Sequence, residues 1–239
     1  MDSLYPFLTR QSGLARAIDT IAQNVANAST TGYRAEGLVF AEHVTRAAGG
    51  GPSMSMGHAT GRFADASQGG LEMTGGAYDV AIEGEGYFQI GGPGGEVLLT
   101  RAGAFTPDAF GTLSTPDGLP VLDLGGAPVQ IPPGGGALHI AADGTLSIDG
   151  APFSQLGLVV PDGPVGTTRA GGTRFRHDGA LLPVESPRMM QGFLERSNTN
   201  AVMEIARMIE VQNAYGAGQS IMDREDERMR AMMRIMDQR

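Results

Sequence analysis

The chain has no cysteine, which excludes a disulfide framework, thiol chemistry and any cysteine-ligated metal site. That absence fits cytosol and periplasm equally. Positive charge is scarce as well: 17 Lys and Arg stand against 26 Asp and Glu, a formal net charge of −9. No basic cluster offsets it, so nucleic acid and anionic membrane are poor partners, both being bound through concentrated positive charge. No apolar run approaches the roughly 18–20 residues that span a bilayer, and no membrane insertion is expected. The opening residues, Met1-Asp2-Ser3-Leu4-Tyr5-Pro6-Phe7, show neither a basic n-region nor an apolar h-region, so no cleaved signal peptide is expected. What remains is 239 residues, 41% hydrophobic, enough for one large domain or two small ones. Glycine, at 37 residues, is concentrated in the middle, which points to turns.

The two ends carry helical periodicity. Met208, Tyr215, Met222, Met229 and Met236 recur every seventh residue, and Ile205, Val211, Met232 and Met233 thicken the same face, with Val202 and Ile209 as further candidate subunit-packing residues. A strict heptad keeps one seam of a helix facing a partner helix. Asn198 or Asn200 stands at the N-cap position, and a helix over 200–236 is about 55 Å long. At the other end Leu4, Gln11, Ile18 and Val25 make one heptad row and Phe7, Leu14 and Ile21 the row beside it. The pattern predicts a helix from near Ser3 to about Asn27. Two such helices at opposite termini favour packing between molecules over packing within one.

Between them the pattern changes. Residues 34–68 are poorly patterned and read as an extended arm with one strand around Leu38-Val39-Phe40. From Gly69 to Pro187 short strands alternate with turns, among them Val80-Ala81-Ile82, Tyr87-Phe88-Gln89-Ile90, Leu138-His139-Ile140 and Leu156 to Val160. Asp-Gly pairs at 117–118, 143–144, 149–150, 162–163 and 178–179 favour tight turns with both central residues at positive φ. Gly-Thr-Leu-Ser occurs at 111–114 and again at 144–147, the mark of a reused hairpin. Strands spaced by about 8–12 residues predict an antiparallel β domain.

Catalytic and cofactor motifs are missing from the pattern. His43, His58, His139 and His177 sit in unrelated contexts, none at metal-ligand spacing. Glu83 and Glu85 flank a glycine turn that splays them, a poor acid/base pair. Gly84-Glu85-Gly86 lacks the third glycine and helix of a dinucleotide fingerprint, and the Asp-Gly turns lack the alternating ligands of a calcium loop. No catalytic residue, metal or cofactor is assigned, and the chain is not expected to be an enzyme.

Four blocks of sequence nevertheless resemble those of one family, the bacterial flagellar axial proteins of the rod and hook. Asn24-Val25-Ala26-Asn27-Ala28-Ser29-Thr30-Thr31-Gly32-Tyr33-Arg34 is similar to the N-terminal signature. Asp79-Val80-Ala81-Ile82-Glu83-Gly84-Glu85-Gly86-Tyr87-Phe88 is similar to the second, and Thr100-Arg101-Ala102-Gly103-Ala104-Phe105-Thr106 to the third. Gly192-Phe193-Leu194-Glu195-Arg196-Ser197-Asn198-Thr199-Asn200-Ala201 and Met208 to Tyr215 resemble the C-terminal block. The residues of interest in these motifs are Asn27, Thr31, Gly32 and Tyr33; Asp79, Gly84, Gly86 and Phe88; Arg101, Gly103 and Phe105; and Ser197 and Asn198. The short chain resembles the proximal-rod branch.

The resemblance implies a structural subunit of the basal-body rod, exported by the flagellar type III apparatus into the periplasm without a cleaved signal. Its partners would be copies of itself and other axial proteins, and it would transmit torque. The expected fold is α+β, with long N- and C-terminal helices pairing as a coiled-coil-like inner domain and a central antiparallel all-β domain. The expected divisions are 1–33 for the N-terminal helix, 34–68 for the arm, 69–190 for the β domain and 191–239 for the C-terminal helix. A distal-rod or hook-junction subunit is one alternative. A secreted β-rich hydrolase with helical oligomerisation arms is the other.

Overall fold

Two long helices do form, and the strands are antiparallel throughout the sheets, an α+β architecture. The structure is a computed structural model. It describes residues 4–45, 54–134, 136–163 and 166–236, and within them the side chains of 8–39, 61–134, 136–163 and 166–234. The chain divides into two units: Met1–Ala26, Glu36–Asp65 and Asn200–Arg239 form a helical unit, and Asn27–Ala35 with Ala66–Thr199 form a β unit.

In the helical unit, α1 (Leu4–Ala26) is followed by strands β1 (Glu36–Thr45) and β2 (Met54–Ala64), and the unit closes with α2 (Ala201–Met236). Asn200 caps α2: its Oδ1 accepts the N–H groups of Val202 at 3.1 Å and Met203 at 3.2 Å, satisfying two of the donors a helix start leaves open. The helices run antiparallel, since Asn24 reaches Glu204 while Gln11 reaches Tyr215. On α2 the shielded positions include Ala201, Glu204, Met208, Val211, Tyr215, Gly218, Met222 and Glu225, steps of three and four that trace one stripe, with Ala214 beside it. Gly218 leaves space for Gln11, whose amide nitrogen would lie 2.5 Å from an added Cβ.

The arm expected over 34–68 is instead largely a ribbon. β1 and β2 pair from Glu36↔Ala64 to Thr45↔Met54, with an irregularity between Val39 and Phe40. The second strand escapes sequence reading because Met-Ser-Met-Gly-His-Ala-Thr-Gly-Arg-Phe-Ala is poor in β-branched residues; pairing makes it a strand, not propensity. The ring of Phe63 covers Gly37 opposite it.

The β unit contains a six-stranded sheet in the order β13 (Thr167–Gly171), β14 (Arg174–His177), β6 (Val97–Thr100), β5 (Tyr87–Gly91), β12 (Leu158–Pro161) and β15 (Leu181–Pro183). A three-stranded sheet joins β11 (Ala151–Gln155), β10 (Thr145–Ile148) and β9 (Leu138–Ile140). Three pairs complete the unit: β4 (Val80–Ile82) with β16 (Met189–Gln191), β3 (Leu71–Met73) with β17 (Phe193–Glu195), and β7 (Thr106–Pro107) with β8 (Leu113–Ser114). Residues 193–195, expected at the approach to the last helix, are therefore a strand of this unit. The core includes Val80, Ile82, Phe88, Ile90, Phe105, Leu146 and Leu156, with Phe88 and Phe105 meeting edge to face at 5.2 Å between centroids, a favoured aromatic geometry.

Both copies of Gly-Thr-Leu-Ser open the second strand of a hairpin, β8 after β7 and β10 after β9, and both bury their leucine, Leu113 and Leu146. The Asp-Gly turns are less uniform than expected. Only Asp149-Gly150 has both residues at positive φ, 50° and 84°, which is the two-residue turn that matches strand twist. At 117–118, 143–144 and 162–163 only the glycine is positive, and at 178–179 neither residue is.

Candidate functional site

The motif residues of the β unit converge on one buried carboxylate. Glu195 lies at the end of β17, 1% exposed. Its Oε2 receives Nε of Arg101 at 2.8 Å and Nη2 at 2.7 Å, a two-pronged guanidinium contact. Its Oε1 receives Nη1 of Arg34 at 3.0 Å and the backbone N–H of Gly69 at 3.0 Å. Two guanidiniums and one carboxylate leave one formal positive charge in the interior. Carbonyl oxygens offset it: Arg101 also donates to Gly86 O at 2.6 Å and Ile82 O at 3.4 Å, and Arg34 to Ser67 O. Burial draws the Arg101 pKa below its ordinary value, Glu195 raises it again and Arg34 lowers it; a guanidinium starts so high that it stays charged.

Around this cluster the N-terminal signature is locked down. Thr30 donates its hydroxyl to Asn27 Oδ1 at 3.1 Å, turning the chain after α1, and Thr31 is half-buried beside it. Gly32 donates its N–H to Glu195 O at 2.7 Å. Tyr33 is buried beneath the guanidinium of Arg169, 4.5 Å from its ring centroid, and Arg169 Nη2 donates to Arg34 O at 2.6 Å. Asn198, offered above as a cap for α2, does different work. Its Oδ1 accepts the Ala35 N–H at 2.7 Å and its Nδ2 donates to Ser67 O at 2.9 Å. Ser197 Oγ accepts the Thr199 N–H at 3.1 Å.

The second and third motifs supply the floor. Asp79 accepts a hydrogen bond from the Thr74 hydroxyl and its carbonyl accepts the Gly192 N–H at 2.8 Å. Gly84 donates its N–H to Gln68 Oε1 at 3.0 Å, while Phe88 and Phe105 belong to the core. A Cβ on Gly103 would sit 1.7 Å from Val80 O, and one on Gly32 would sit 2.3 Å from Ala102 N. Gly32 also holds φ at 67°. Gly32→Ala therefore combines left-handed backbone strain with a clash against backbone, and a loss of about 2–3 kcal/mol is expected in urea unfolding of the β unit.

In the helical unit a second polar cluster forms where α1 ends. Asn24, 3% exposed, accepts the Glu36 N–H at 2.9 Å and donates to Glu36 O at 2.9 Å and to Glu204 Oε2 at 3.2 Å. Arg62 reaches Glu36 at 3.5 Å, and Glu204 pairs with Arg207 at 3.0 Å. Sequence reading passes over Asn24, Arg34, Glu195 and Glu204 as individual residues. The first three stand inside the quoted motifs, yet hydropathy assigns all four to the surface.

The packing residues divide by face. Ile21 is buried, and Leu14, Ile18, Val25, Met208, Tyr215 and Met222 are half-buried. Gln11 donates to Tyr215 O at 3.0 Å, which puts this row of α2 against α1. Val202, Ile205 and Ile209 lie off that stripe, 77%, 47% and 55% exposed. Met229, Met232 and Met233 are also exposed. Leu4, Phe7 and Met236 lie outside the residues whose side chains are described. Among the described residues no group of His, Asp and Glu is disposed to hold a metal ion, and no helix is long and apolar enough to cross a membrane.

Comparisons with known proteins agree with the motif geometry. Three family models match: a flagella basal body rod protein model over residues 7–34, a flagellar hook protein FlgE/F/G D1 domain over 81–148, and a flagellar basal body rod FlgEFG protein C-terminal model over 190–235. The flagellar basal-body rod protein FlgF of Caulobacter vibrioides is 37% identical over 235 residues, 96% of each chain. That of Mesorhizobium japonicum is 37% identical, over 90% of this chain and 89% of its own. The flagellar basal-body rod protein FlgG of Bacillus subtilis is 28% identical over 98% of each. With matches this extended and the signature residues meeting at Glu195, the chain belongs to the FlgF-like family of flagellar basal-body rod proteins.

Proposed function

We propose that this chain is a non-enzymatic structural subunit of the proximal rod, built into the axial tube through α1 and α2 and transmitting torque by packing. The observation that carries this reading is the apolar line Val202, Ile205 and Ile209 on α2, which is exposed among the described residues. The inner stripe of the same helix, with its three-and-four spacing, supports a coiled-coil-like pairing with α1. The outer line is then left for neighbours, each large side chain contributing about 1.5–3 kcal/mol on burial. Met229, Met232 and Met233 extend the available surface with adaptable side chains. In this reading the helical unit lines the inner tube. The partners are further copies and other axial proteins, and delivery to the periplasm is by the flagellar type III apparatus.

The higher identity to FlgF relatives, 37% against 28% for FlgG, supports the proximal position over a distal one. Relatives named as rod proteins along nearly the whole chain argue for a structural role over a hydrolase. The absence of cysteine makes a direct test simple, because Ile209→Cys introduces a single thiol. Maleimide labelling is expected to be fast in the purified chain and at least about tenfold slower in isolated basal bodies, as burial removes the thiol from water. Equal rates in both preparations would contradict the proposal.

A further inference from the structure

The stripe of α2 that faces α1 outlasts its partner. Gln11 of α1 reaches Tyr215 and the two helices run antiparallel, so Leu4, about two turns nearer the start of α1, falls level with Met222. From there α2 continues to Met236, about 20 Å further along the helix. The steps of three and four continue with it, through Glu225 to Met229, Met232 and Met236. The shielding stops: among the described side chains every one from Asp226 to Arg234 is exposed, Met229 and Met232 included.

The start of α2 carries a row of the same form. Val202, Ile205 and Ile209 repeat the steps of three and four and are exposed. Each stands 27 residues before its counterpart, Met229, Met232 or Met236. That separation is about 7.5 turns and about 40 Å of helix, so the rows face different sides of α2 as well as lying at different ends. The flanks of both are close to neutral. Arg228 pairs with Glu225 at 3.0 Å and Arg230 with Asp226 at 2.7 Å, while Ala201, Ala206, Gln212 and Asn213 adjoin the first row.

We propose that the row at the end of α2 seats the row at the start of α2 from a second copy of this chain, the neighbour's helix taking up the line on which α1 stops. This rests on the packing role proposed above and names the surfaces that meet. Two observations select the occupant. The overhanging row is continuous with the stripe that α1 already fills, so it takes an α-helix with apolar side chains at the same spacing. The flanking charges of one row are paired within its own helix and the other row has uncharged neighbours, which matches neutral to neutral and excludes a strongly basic or acidic partner. Because two different patches meet, the contact is heterologous: a pair of copies keeps one free row of each kind, and a third copy can add.

Ile205 and Met232 are the middle residues of their rows, so they meet whether the two α2 helices run parallel or antiparallel. The chain has no cysteine, so Ile205→Cys and Met232→Cys each carry one thiol. The test is to produce both full-length chains in the same cells, isolate basal bodies, oxidise them and identify the disulfide products by mass. The mixed 205–232 product is expected to exceed each homodimer, 205–205 and 232–232, by about tenfold, because a disulfide forms only where Cα atoms lie within about 7 Å. A mixed product no more abundant than either homodimer, or no product joining two copies, overturns the inference. Maleimide labelling of the same two chains separates this result from the packing role itself. Slow labelling at both positions in basal bodies without the mixed product leaves the packing role standing and removes the second copy as the partner. Fast labelling at both removes the two together.

Discussion

Glu195→Gln is expected to lower the stability of the β unit by about 3–5 kcal/mol, the cost of removing one partner from a buried ion cluster. The loss arises because Arg34 and Arg101 remain, 3% and 1% exposed, with their repulsion no longer screened by the carboxylate. A neutral amide also replaces two acceptor oxygens with one, so the contacts now made to Arg34, Arg101 and Gly69 cannot all survive. For a unit of this size the loss corresponds to a fall in melting temperature of about 10 °C or more. Chemical unfolding followed by circular dichroism measures it. A control separates charge from packing: the triple change Arg34→Met, Arg101→Met and Glu195→Leu removes every ion at once. It is expected to recover much of the lost stability, because apolar replacements of a whole buried ion group are often neutral or better. If Glu195→Gln unfolds at the original denaturant concentration, the cluster does not hold the β unit together.

The second large effect is expected at the outer line of α2. Ile209→Asp should abolish rod assembly and motility while leaving the melting of the β unit unchanged within about 0.5 kcal/mol, as an exposed substitution does. In the free chain the new carboxylate faces water. In an assembled interface it would be buried without a partner, at a cost of several kcal/mol, repeated in every copy. Ile18→Asp is the informative companion, because Ile18 is half-buried on α1. It should weaken the helical unit already in the isolated chain, visible as lost helical signal. Normal rods in cells carrying Ile209→Asp would remove the packing role from this face.

The contrast between these two isoleucines shows what the sequence could and could not convey. Heptad spacing marks both as helix-packing positions, and Asn200 with the unbroken repeat places the last helix at 200–236, against Ala201–Met236 observed. Spacing does not say whether the partner is within the chain or outside it. In the structure Met208, Tyr215 and Met222 share the stripe that meets α1, and Val202, Ile205 and Ile209 are left over. The short strands of the β unit were legible from alternation and turns, since Val80–Ile82, Tyr87–Gly91 and Leu138–Ile140 all form. The strand Met54–Ala64 was not, because pairing with β1 overrides a weak local preference. Least legible of all was the ionic cluster. Arg101 is marked by its motif, but Glu195 and Arg34 look like ordinary surface charges, and only the fold brings distant signatures together and buries them. Of the two glycines inside α2, Gly218 makes room for Gln11, while Gly216 has nothing within 4 Å of an added Cβ and no structural reason is apparent.

The most direct measurement is backbone hydrogen exchange on the purified, dilute chain and on the same chain in isolated basal bodies. On the proposed reading, in which neighbouring subunits cover the outer line of α2, residues 75–185 should be protected in both samples. Residues 200–234 should gain strong protection only in the basal bodies. Full protection of α2 already in the dilute chain would mean that its apolar faces are satisfied without assembly, contradicting a subunit that completes its packing in the rod.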